Sequence, residues 1–293
     1  MLNLQIPHAT TVSALRARIK SWREDGLTVG FVPTMGSLHD GHLSLVRLAK
    51  AQSDRVVASI FVNPAQFAEG EDFDTYPRET LADAEKLANA QCDLIFLPDR
   101  EVMYPDGFAT SIAMAGPAEG LESDIRPHFF SGVATVVAKL FNQVRPDIAV
   151  FGEKDYQQLL VIRQLVRDLD LPIDIIAGET GRDRDGLALS SRNAYLSETD
   201  RKRASALPQI LKALAEALSA GGDLEATLGE ARNAAEAAFD GVDYLTVRDA
   251  ASLAELEPGQ VQQTGRILAA VRLGETRLID NIAVLPFKGP NPG

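Results

Sequence analysis

Two histidines stand three residues apart at the start of a predicted helix. His39 and His42 follow a short β-branched run and lie beside Gly36 and Gly41, which allow a ligand to approach the backbone closely. The N-terminus of a helix offers unpaired N–H groups and the positive end of a dipole, so this segment suits a phosphate group. On one helical turn the two imidazoles face the same way and can donate to the same phosphate. The alternative is a glycine-containing loop in which two of the four histidines meet by chance.

Two side-chain amides follow the next apolar run. Asn63 and Gln66 stand in an Asn-Pro-x-Gln turn directly after residues 55–62. An amide both donates and accepts, so it can bind a hydroxyl or a carboxylate. The alternative is that Asn63 only caps the turn before Pro64, and this segment alone leaves both interpretations open.

A compact cation follows a later predicted strand, in the run 151–158. Lys154 suits a polyphosphate, and Asp155 suits the N-terminal cap of the following helix. Gln158 lies one helical turn further along, on the same face as Lys154. Taken alone, this segment is more typical of a solvated Glu-Lys-Asp turn.

Two hydroxyls and a guanidinium form a fourth polar segment. Ser190, Ser191 and Arg192 together could grasp a phosphate group. They lie at the junction of two predicted domains, where closure over a substrate is possible. The alternative is a series of helix N-caps, which serines before a polar stretch also favour.

Three of these segments occupy corresponding places in an alternation of strands and helices. The expected strands are continuous apolar runs, which indicates a parallel sheet covered on both faces. Ligands of such sheets bind at the carboxyl ends of the strands, where these three segments lie. The predicted strands are residues 28–32, 55–62, 93–97, 148–151 and 173–177. The predicted helices are residues 12–22, 41–53, 78–91, 132–144 and 156–168.

The pattern changes after the fifth predicted strand. Two alanine-rich helical stretches precede three strand candidates, and Gly274-Glu275 suits a two-residue hairpin turn between the last two. These stretches are residues 201–220, 225–239, 242–247, 267–273 and 276–284. We therefore expect a first domain at residues 1–180, a smaller α+β domain at residues 181–287 and a disordered tail at residues 288–293.

Composition excludes several classes of protein. The 293 residues carry a formal net charge of −12, whereas a nucleic-acid binder normally has a basic face. Cys92 is the single cysteine and precedes an apolar run, so a buried, inert thiol is expected and no internal disulfide can form. No apolar run reaches membrane-spanning length, and the first ten residues lack a signal-peptide pattern. A cytoplasmic location without a membrane partner is the expectation.

Several common catalytic signatures are missing from the sequence. There is no Walker-type loop, no dinucleotide-binding glycine fingerprint, no nucleophile elbow and no metal-ligand cluster. The cysteine and the serines lack a base nearby in the sequence. Adenylate transfer or direct in-line displacement therefore fits better than covalent catalysis.

The four segments, in this order and spacing, resemble the signatures of the pantothenate synthetase (pantoate–β-alanine ligase) family of the nucleotidylyltransferase superfamily. Residues 74–78, 103–105 and 139–142 are similar to that family too, and the resemblance spans nearly the whole chain. It implies an α/β fold: a Rossmann-like parallel-sheet domain with a smaller C-terminal α+β lid domain, usually in a homodimer. It also implies that ATP, accompanied by Mg²⁺, converts pantoate into pantoyl adenylate and pyrophosphate. The amine of β-alanine then yields pantothenate and AMP.

The resemblance implies roles for individual residues as well. His39 and His42 would stabilise charge on the α-phosphate during adenylation. Gln66 and Gln158 would hold pantoate, with Asn63 close by and Gln66 also near β-alanine. The implied catalytic set is His39, His42, Lys154, Ser190 and Arg192. The implied ATP site comprises Met35, Gly36, Ser37, Leu38, His39, Asp40, Gly41, His42, Gly152, Glu153, Lys154, Asp155, Gly181, Leu189, Ser190, Ser191 and Arg192.

The chain departs from the family pattern at two places. The usual Pro-x-His-Phe run is altered so that His128 is moved by one place, and Ser131 stands where Arg is common. No direct role is therefore inferred for His128. Gly181 stands where the family usually has Val near the adenine, and because that contact is mainly through backbone, ATP binding is expected to survive. Asp83 is the magnesium ligand that the resemblance implies.

Two other functions would use similar signatures. The first is a nucleotidylyltransferase that stops at nucleotide transfer; the Asn63-x-x-Gln66 and Gln157-Gln158 pairs argue against it because they fit pantoate. The second is a non-catalytic nucleotide sensor. A sensor need not keep all four cationic side chains of the motifs, so their presence argues against this function.

Overall fold

The computed structural model describes residues 4–67, 73 and 76–289. Two predictions from the sequence fall partly outside these residues. One is the disordered tail, at residues 290–293, and the other is the run 74–78 that is similar to the family, at residues 74 and 75. Within the described residues, no helix is long and apolar enough to cross a membrane.

The chain forms two compact units. The first spans Met1–Glu153 and Gln157–Glu179, and the second spans Lys154–Tyr156 and Thr180–Gly293. The short segment Lys154–Tyr156 thus groups with the second unit, which a single boundary after residue 180 does not anticipate.

The first unit is built on a six-stranded parallel sheet in the order β1-β4-β3-β2-β5-β6. Its strands are β1 (His8–Ala9), β2 (Val29–Thr34), β3 (Arg55–Ile60), β4 (Leu94–Phe96), β5 (Ile148–Gly152) and β6 (Asp174–Gly178). The chain runs outward from β2 through β3 and β4 and then crosses to β5 on the other side of β2. The strand order therefore reverses between β2 and β5, and ligands of open α/β sheets bind at the carboxyl ends beside such a reversal.

Helices cover both faces of this sheet, which is why its central strands are continuous apolar runs. The helices are α1 (Val12–Glu24), α2 (Asp40–Gln52), α3 (Thr80–Asn89), α4 (Arg100–Met103), α5 (Glu122–Ile125), α6 (Phe129–Val144) and α7 (Tyr156–Asp168). Phe31 of β2 belongs to one core cluster, together with Phe141 of α6. The next residue along the strand, Val32, belongs to another cluster, with Val46 of α2 and Leu87 of α3. Successive residues of β2 therefore point into different cores, as a strand with two buried faces requires.

Several elements differ from the sequence expectation. β1, α4 and α5 were not predicted, because segments of two to four residues are too short to leave a periodic pattern. α6 begins at Phe129 rather than at residue 132, because Phe130, 2% exposed, extends its buried face by almost a turn. The predicted inert thiol is buried, and desolvation raises the pKa of Cys92 to about 12.

The second unit packs helices against a three-stranded antiparallel sheet in the order β7-β8-β9. Its elements are α8 (Glu198–Ala204), α9 (Ala206–Ser219), α10 (Leu224–Ala238), β7 (Gly241–Asp249), β8 (Gly265–Leu273) and β9 (Thr276–Val284). The predicted helix at residues 201–220 is broken at Ser205, because Pro208 has no N–H to donate and is tolerated only in the first turn of α9. Gly274 has a φ of 54° in the predicted hairpin turn. The predicted fold class, a parallel α/β unit with a smaller α+β unit, is confirmed.

Candidate active site

The two histidines of the first motif are in contact at the start of α2. His39 is the N-cap, with φ −127° and ψ 174°, and its N–H donates to Nδ1 of His42 at 3.3 Å. The ring centroids are 4.1 Å apart. A ring nitrogen that accepts from a backbone N–H carries no proton, so neutral His42 holds its proton on Nε2. In that tautomer the Nε2–H group of His42 lies in the first turn of α2, at the positive end of the helix dipole.

The loop before α2 is left-handed at two successive residues, Gly36 (φ 88°) and Ser37 (φ 51°). Asp83 of α3 holds this loop, because one carboxylate oxygen accepts from the N–H of Ser37 and the other from the N–H of Leu38, each at 2.8 Å. Lys86, one turn further along α3, donates to the carbonyl of Leu38 at 2.8 Å. Side chains of α3 therefore fix both residues that precede the N-cap.

Asp83 is almost completely buried, at 1% exposure. Desolvation raises the pKa of its carboxyl, although the two backbone hydrogen bonds and the Lys86 ammonium, 3.9 Å away, act in the opposite direction. A Cβ on residue 36 would come within 3.1 Å of both Asp83 Oδ2 and a methyl of Ile60. Glycine at this position therefore meets two needs, positive φ and close approach to the carboxylate.

The amides of the second motif lie at the carboxyl end of β3. Asn63 is 1% exposed, and its Nδ2 donates to Gln66 Oε1 at 3.1 Å and to the carbonyl of Gly132 at 3.2 Å. Its Oδ1 accepts from the N–H of Ala65 at 3.3 Å and from the hydroxyl of Tyr104 at 2.7 Å. The capping role that the sequence left open is therefore present, but Asn63 also orients Gln66.

Gln66 connects the second motif to the first. Its Nε2 donates to the sulfur of Met35 at 2.9 Å, and the carbonyl of Gln66 accepts from Arg126 at 2.9 Å. Both motifs therefore meet at the ends of the adjacent strands β2 and β3. Beside them lies a cavity of about 250 Å³. It is lined by Met35, Gly36, Ile60, Phe61, Val62, Phe73, Pro77, Arg78, Glu79, Thr80, Asp83, Pro98 and Arg100.

α6 packs closely against the turn that carries the second motif. A Cβ on Gly132 would lie 2.1 Å from the carbonyl oxygen of Ala65, so only glycine lets α6 approach the Asn63–Gln66 turn this closely. His128 is exposed, and its side chain does not cap α6. Whether His128 has a role in the site stays open at this point.

The two glutamines of the third motif have different environments. Gln157, 4% exposed, accepts from the N–H of Glu122 and donates to the carbonyls of Pro117 and Gly120. It is thus committed to holding a neighbouring loop. Gln158 is half-buried, and its side chain makes no hydrogen bond to another residue in the described part of the chain. Of the pair, Gln158 alone keeps its amide for a ligand.

The cation of the third motif belongs to the second unit. Lys154 Nζ lies 3.3 Å from Asp155 Oδ1, and the Lys154 carbonyl accepts from Asn281 Nδ2 at 2.9 Å. Asp155 closes a 3-10 turn at Glu153–Asp155 that runs directly into α7. Asp155, which was predicted as an N-terminal cap, therefore ends a turn, and its carboxylate lies beside the Lys154 ammonium.

The fourth motif forms a short 3-10 helix at Ser191–Tyr195. Ser190 is its N-cap, and the hydroxyl oxygen accepts from the N–H of Arg192 at 3.3 Å. The preceding segment is fixed by a bond from the N–H of Leu189 to the carbonyl of Gly181 at 2.8 Å. The capping interpretation is thus realised, and Ser190, Ser191 and Arg192 are all half-buried.

Sequence reasoning missed three residues that support the site. Lys86 and Tyr104 act through single contacts to backbone or amide groups, and nothing in their spacing signals this. Gly132 stood at the start of the predicted helix, and only the earlier start of α6 at Phe129 shows it as a glycine inside a helix, where it often marks close packing.

The parallel sheet, the helix start at the reversal of strand order and the histidine pair together define a nucleotide-binding α/β enzyme. The family model for pantoate-beta-alanine ligase matches residues 8–283, and the chain belongs to this family. The assignment agrees with the resemblance stated from the motifs.

Curated relatives and solved structures agree with this assignment. The chain is 68% identical to pantothenate synthetase from Maricaulis maris, over 98% of this chain and 99% of that protein. It is 55% identical to pantothenate synthetase from Caulobacter vibrioides, over 94% and 97%. The crystal structure of pantothenate synthetase from Thermus thermophilus has a TM-score of 0.89 at 45% identity, covering 96% of this chain and all of that one.

A further similar structure was solved in complex with ligands. It is the pantoate-beta-alanine ligase from Francisella tularensis complexed with beta-gamma ATP and beta-alanine, with a TM-score of 0.78 at 35% identity. It covers 94% of this chain and 97% of that one. A relative with this fold therefore binds both an ATP compound and β-alanine.

Proposed function

We propose that this chain condenses pantoate with β-alanine in an ATP-dependent reaction through pantoyl adenylate, releasing AMP and pyrophosphate. Family membership and the Francisella complex support this proposal. The observation that carries it is the meeting of the first two motifs: a histidine pair at the start of α2 and an amide at Gln66, joined through Met35. One motif suits phosphate, and the other suits a hydroxy acid.

The first step is adenylation. A carboxylate oxygen of pantoate forms a bond to the α-phosphorus, the bond from that phosphorus to the bridging oxygen breaks, and pyrophosphate leaves. The Nε2–H of His42, with His39 and the N–H groups at the start of α2, would stabilise the charge that develops on the α-phosphate. No protein nucleophile is needed, and the single thiol is buried with a raised pKa.

Pantoate would be held by two glutamines. Gln66 offers an Nε2–H group beside Met35, and Gln158 has an amide that is not used within the described protein. In the second step the amine of β-alanine attacks the acyl carbon. The C–N bond forms, the bond from carbon to the phosphate oxygen breaks, AMP leaves and the amine loses a proton. Holding the reactants together supplies much of the acceleration in such a step.

The polyphosphate would be bound by side chains of the second unit. Lys154, Ser190 and Arg192 form the predicted set, and Asp155 would contact the ribose. A chain with a net charge of −12 needs local cations of this kind to hold a triphosphate. The remaining predicted ATP contacts, including the backbone at Gly181, and the lid role of this unit stay predictions.

Magnesium is proposed to enter with ATP, since Mg²⁺ in such sites is bound largely by substrate phosphates and water. Asp83 does not fit a ligand in this conformation, because it is 1% exposed and both oxygens accept backbone N–H groups. No group of three potential metal-binding side chains occurs within the described residues. The magnesium role of Asp83 thus stays a prediction, and no step is assigned to it. The homodimer is implied by the family resemblance and the cytoplasmic location is the expectation from the sequence, and both are likewise proposed.

One assay tests the proposed function against its alternatives. The protein is mixed with ATP, Mg²⁺ and pantoate, with and without β-alanine, and pyrophosphate, AMP and pantothenate are measured. We expect AMP and pantothenate to appear in equal amounts only when β-alanine is present. Pyrophosphate without β-alanine-dependent AMP would indicate a nucleotidylyltransferase, and ATP binding without any product would indicate a sensor.

A further inference from the structure

We infer that Tyr104 is a positioning residue for the pantoate site, acting through Asn63 to hold the Gln66 amide with an N–H group toward the substrate. The inference deepens the proposed function and rests on it. It also changes the role of Asn63, which the motif suggested as a neighbour of the substrate.

Asn63 has no hydrogen-bonding capacity left for a ligand. A side-chain amide offers two N–H groups and two oxygen lone pairs. In Asn63 all four are used: the N–H groups by Gln66 and the carbonyl of Gly132, the lone pairs by Ala65 and Tyr104. Its exposure of 1% leaves no surface for a substrate either. Asn63 is therefore a connector and not a substrate ligand.

The direction of the Asn63 amide is determined by its fixed partners. The Gly132 carbonyl can only accept, and the Ala65 backbone N–H can only donate, so nitrogen must face one and oxygen the other. Tyr104 faces the oxygen and must therefore donate its hydroxyl hydrogen, at 2.7 Å, the shortest of the four contacts. Burial raises the pKa of Tyr104 to about 12, so this donor remains protonated throughout the working pH range.

The same argument determines the orientation of the Gln66 amide. Because Asn63 presents nitrogen, Gln66 must turn its oxygen toward it, which places the Gln66 nitrogen at Met35. One N–H of that nitrogen meets the Met35 sulfur, a weak acceptor. The other has no partner within residues 4–67, 73 and 76–289. Gln66 therefore offers a donor, which matches the carboxylate or the hydroxyls of pantoate.

The ring of Tyr104 is held by packing against neighbouring side chains. Its ring contacts Phe61 and Phe108, with centroids 6.2 Å and 5.1 Å away, and it directly follows Met103, which is fully buried. The hydroxyl is thus held by packing that does not depend on the hydrogen bond itself. Removing the oxygen alone should leave the ring in place.

The test is Tyr104→Phe, assayed with pantoate and with ATP as the varied substrate. We expect the KM for pantoate to rise about 3- to 10-fold, the range that one ordinary hydrogen bond corresponds to. The KM for ATP should remain unchanged. Tyr244→Phe, in β7 of the second unit, is the matched control for loss of a phenol oxygen and should leave the KM for pantoate unchanged. An equal rise in both KM values, or none, would overturn the inference.

A double-mutant cycle tests whether Tyr104 acts through Gln66. Pantoate dissociation constants are measured by titration calorimetry for the wild type, Tyr104→Phe, Gln66→Ala and the double variant. If the connection is correct, Tyr104→Phe weakens binding in the wild type but adds nothing once Gln66 is Ala. Additive effects would instead mean a general structural role and would refute it. Failure of the proposed function is distinguishable, because wild-type protein would then show neither pantoate binding nor β-alanine-dependent AMP.

Discussion

The first unit holds the two segments that carry the proposed substrate contacts, His42 and Gln66, by different means. The loop that leads to His42 is held by charged side chains of α3, the carboxylate of Asp83 and the ammonium of Lys86. The turn that carries Gln66 is held by neutral groups, the amide of Asn63 and the phenol of Tyr104. Hydrogen bonds to a charged group are about twice as strong as neutral ones, but a buried charge also costs desolvation free energy. The two supports, the charged one formed by Asp83 and Lys86 and the neutral one formed by Asn63 and Tyr104, should therefore differ in their sensitivity to pH.

The largest effect is expected from removal of the His42 side chain, which follows the loop held by Asp83 and Lys86. His42→Ala should lower the rate of adenylation by about 10²-fold or more, because it removes a donor to the charge that develops on the α-phosphate. The measurement is pantoate-dependent release of pyrophosphate in a single turnover. The KM for pantoate should change little, since Gln66 is supported separately. Unchanged turnover would mean that His42 does not face the reacting phosphate.

The next largest effect is expected from the packing of α6 against the Asn63–Gln66 turn. Gly132→Ala would put a Cβ 2.1 Å from the carbonyl oxygen of Ala65, forcing α6 away from the Asn63–Gln66 turn. We expect a loss of roughly 1–3 kcal/mol in the free energy of unfolding, as for other overpacked sites, together with weaker pantoate binding. Urea denaturation measures the first and calorimetry the second.

A matched control exists in the second unit. Gly229 lies inside α10, and a Cβ there would have nothing within 4 Å. Gly229→Ala should therefore stabilise the protein by about 0.5–1 kcal/mol, because alanine loses less backbone freedom than glycine in a helix. If both substitutions destabilise the protein equally, the close approach at Gly132 is not the cause.

The charged support itself can be broken at Asp83. Asp83→Asn replaces one acceptor by an N–H₂ group that would face a backbone N–H, so the Ser37–Leu38 loop should loosen. We expect the KM for ATP to rise about 10-fold or more, as for loss of a hydrogen bond to a charged group. Lys86→Met keeps a long apolar stem, removes only the bond to the Leu38 carbonyl and should have a smaller effect. A rise in the Mg²⁺ concentration required, without a change in the KM for ATP, would support metal binding by Asp83 instead.

The sequence singled out the motif residues better than the residues that support them. His39, His42 and Gln66 were selected because motifs at strand ends have a recognisable spacing, and their contacts with substrate stay predictions. Asp83 was selected from the family resemblance, but as a magnesium ligand, because a helix sequence does not show that a carboxylate one element away meets two backbone N–H groups. Tyr104 was only part of a matching run, since the contact to Asn63 joins residues 41 apart in the chain.

Prediction of the fold from the sequence was limited in the same way, at the ends of individual elements. The apolar runs predicted the strands of the parallel sheet other than the short β1, since burial on both faces leaves a plain signal. Tertiary packing then decided the details. The start of α6 was set by Phe130, and the break at Ser205 was set by the position of Pro208, which an alanine-rich periodic pattern conceals.

The smallest effect concerns pH and separates the two supports directly. The pKa of Asp83 in the folded protein is raised above its ordinary value of 3.8, mainly by desolvation, with Glu79 acting in the same direction and Lys86 against it. Its contribution to stability is therefore fully present below 3.8 and is lost as the pH rises through the raised pKa. The difference in unfolding free energy between wild type and Asp83→Asn should shift over this window by about 1.4 kcal/mol for each unit by which the pKa is raised.

Tyr104→Phe provides the contrast for this titration. The phenol remains protonated far above that window, because burial raises its pKa to about 12. The difference in unfolding free energy between wild type and Tyr104→Phe should thus stay constant from pH 3.5 to neutrality, by the same linkage relation. Urea denaturation of the three proteins at several pH values measures both differences. If the Asp83 difference is also constant, its carboxyl has an ordinary pKa, and the two supports do not differ in the way that their charges indicate.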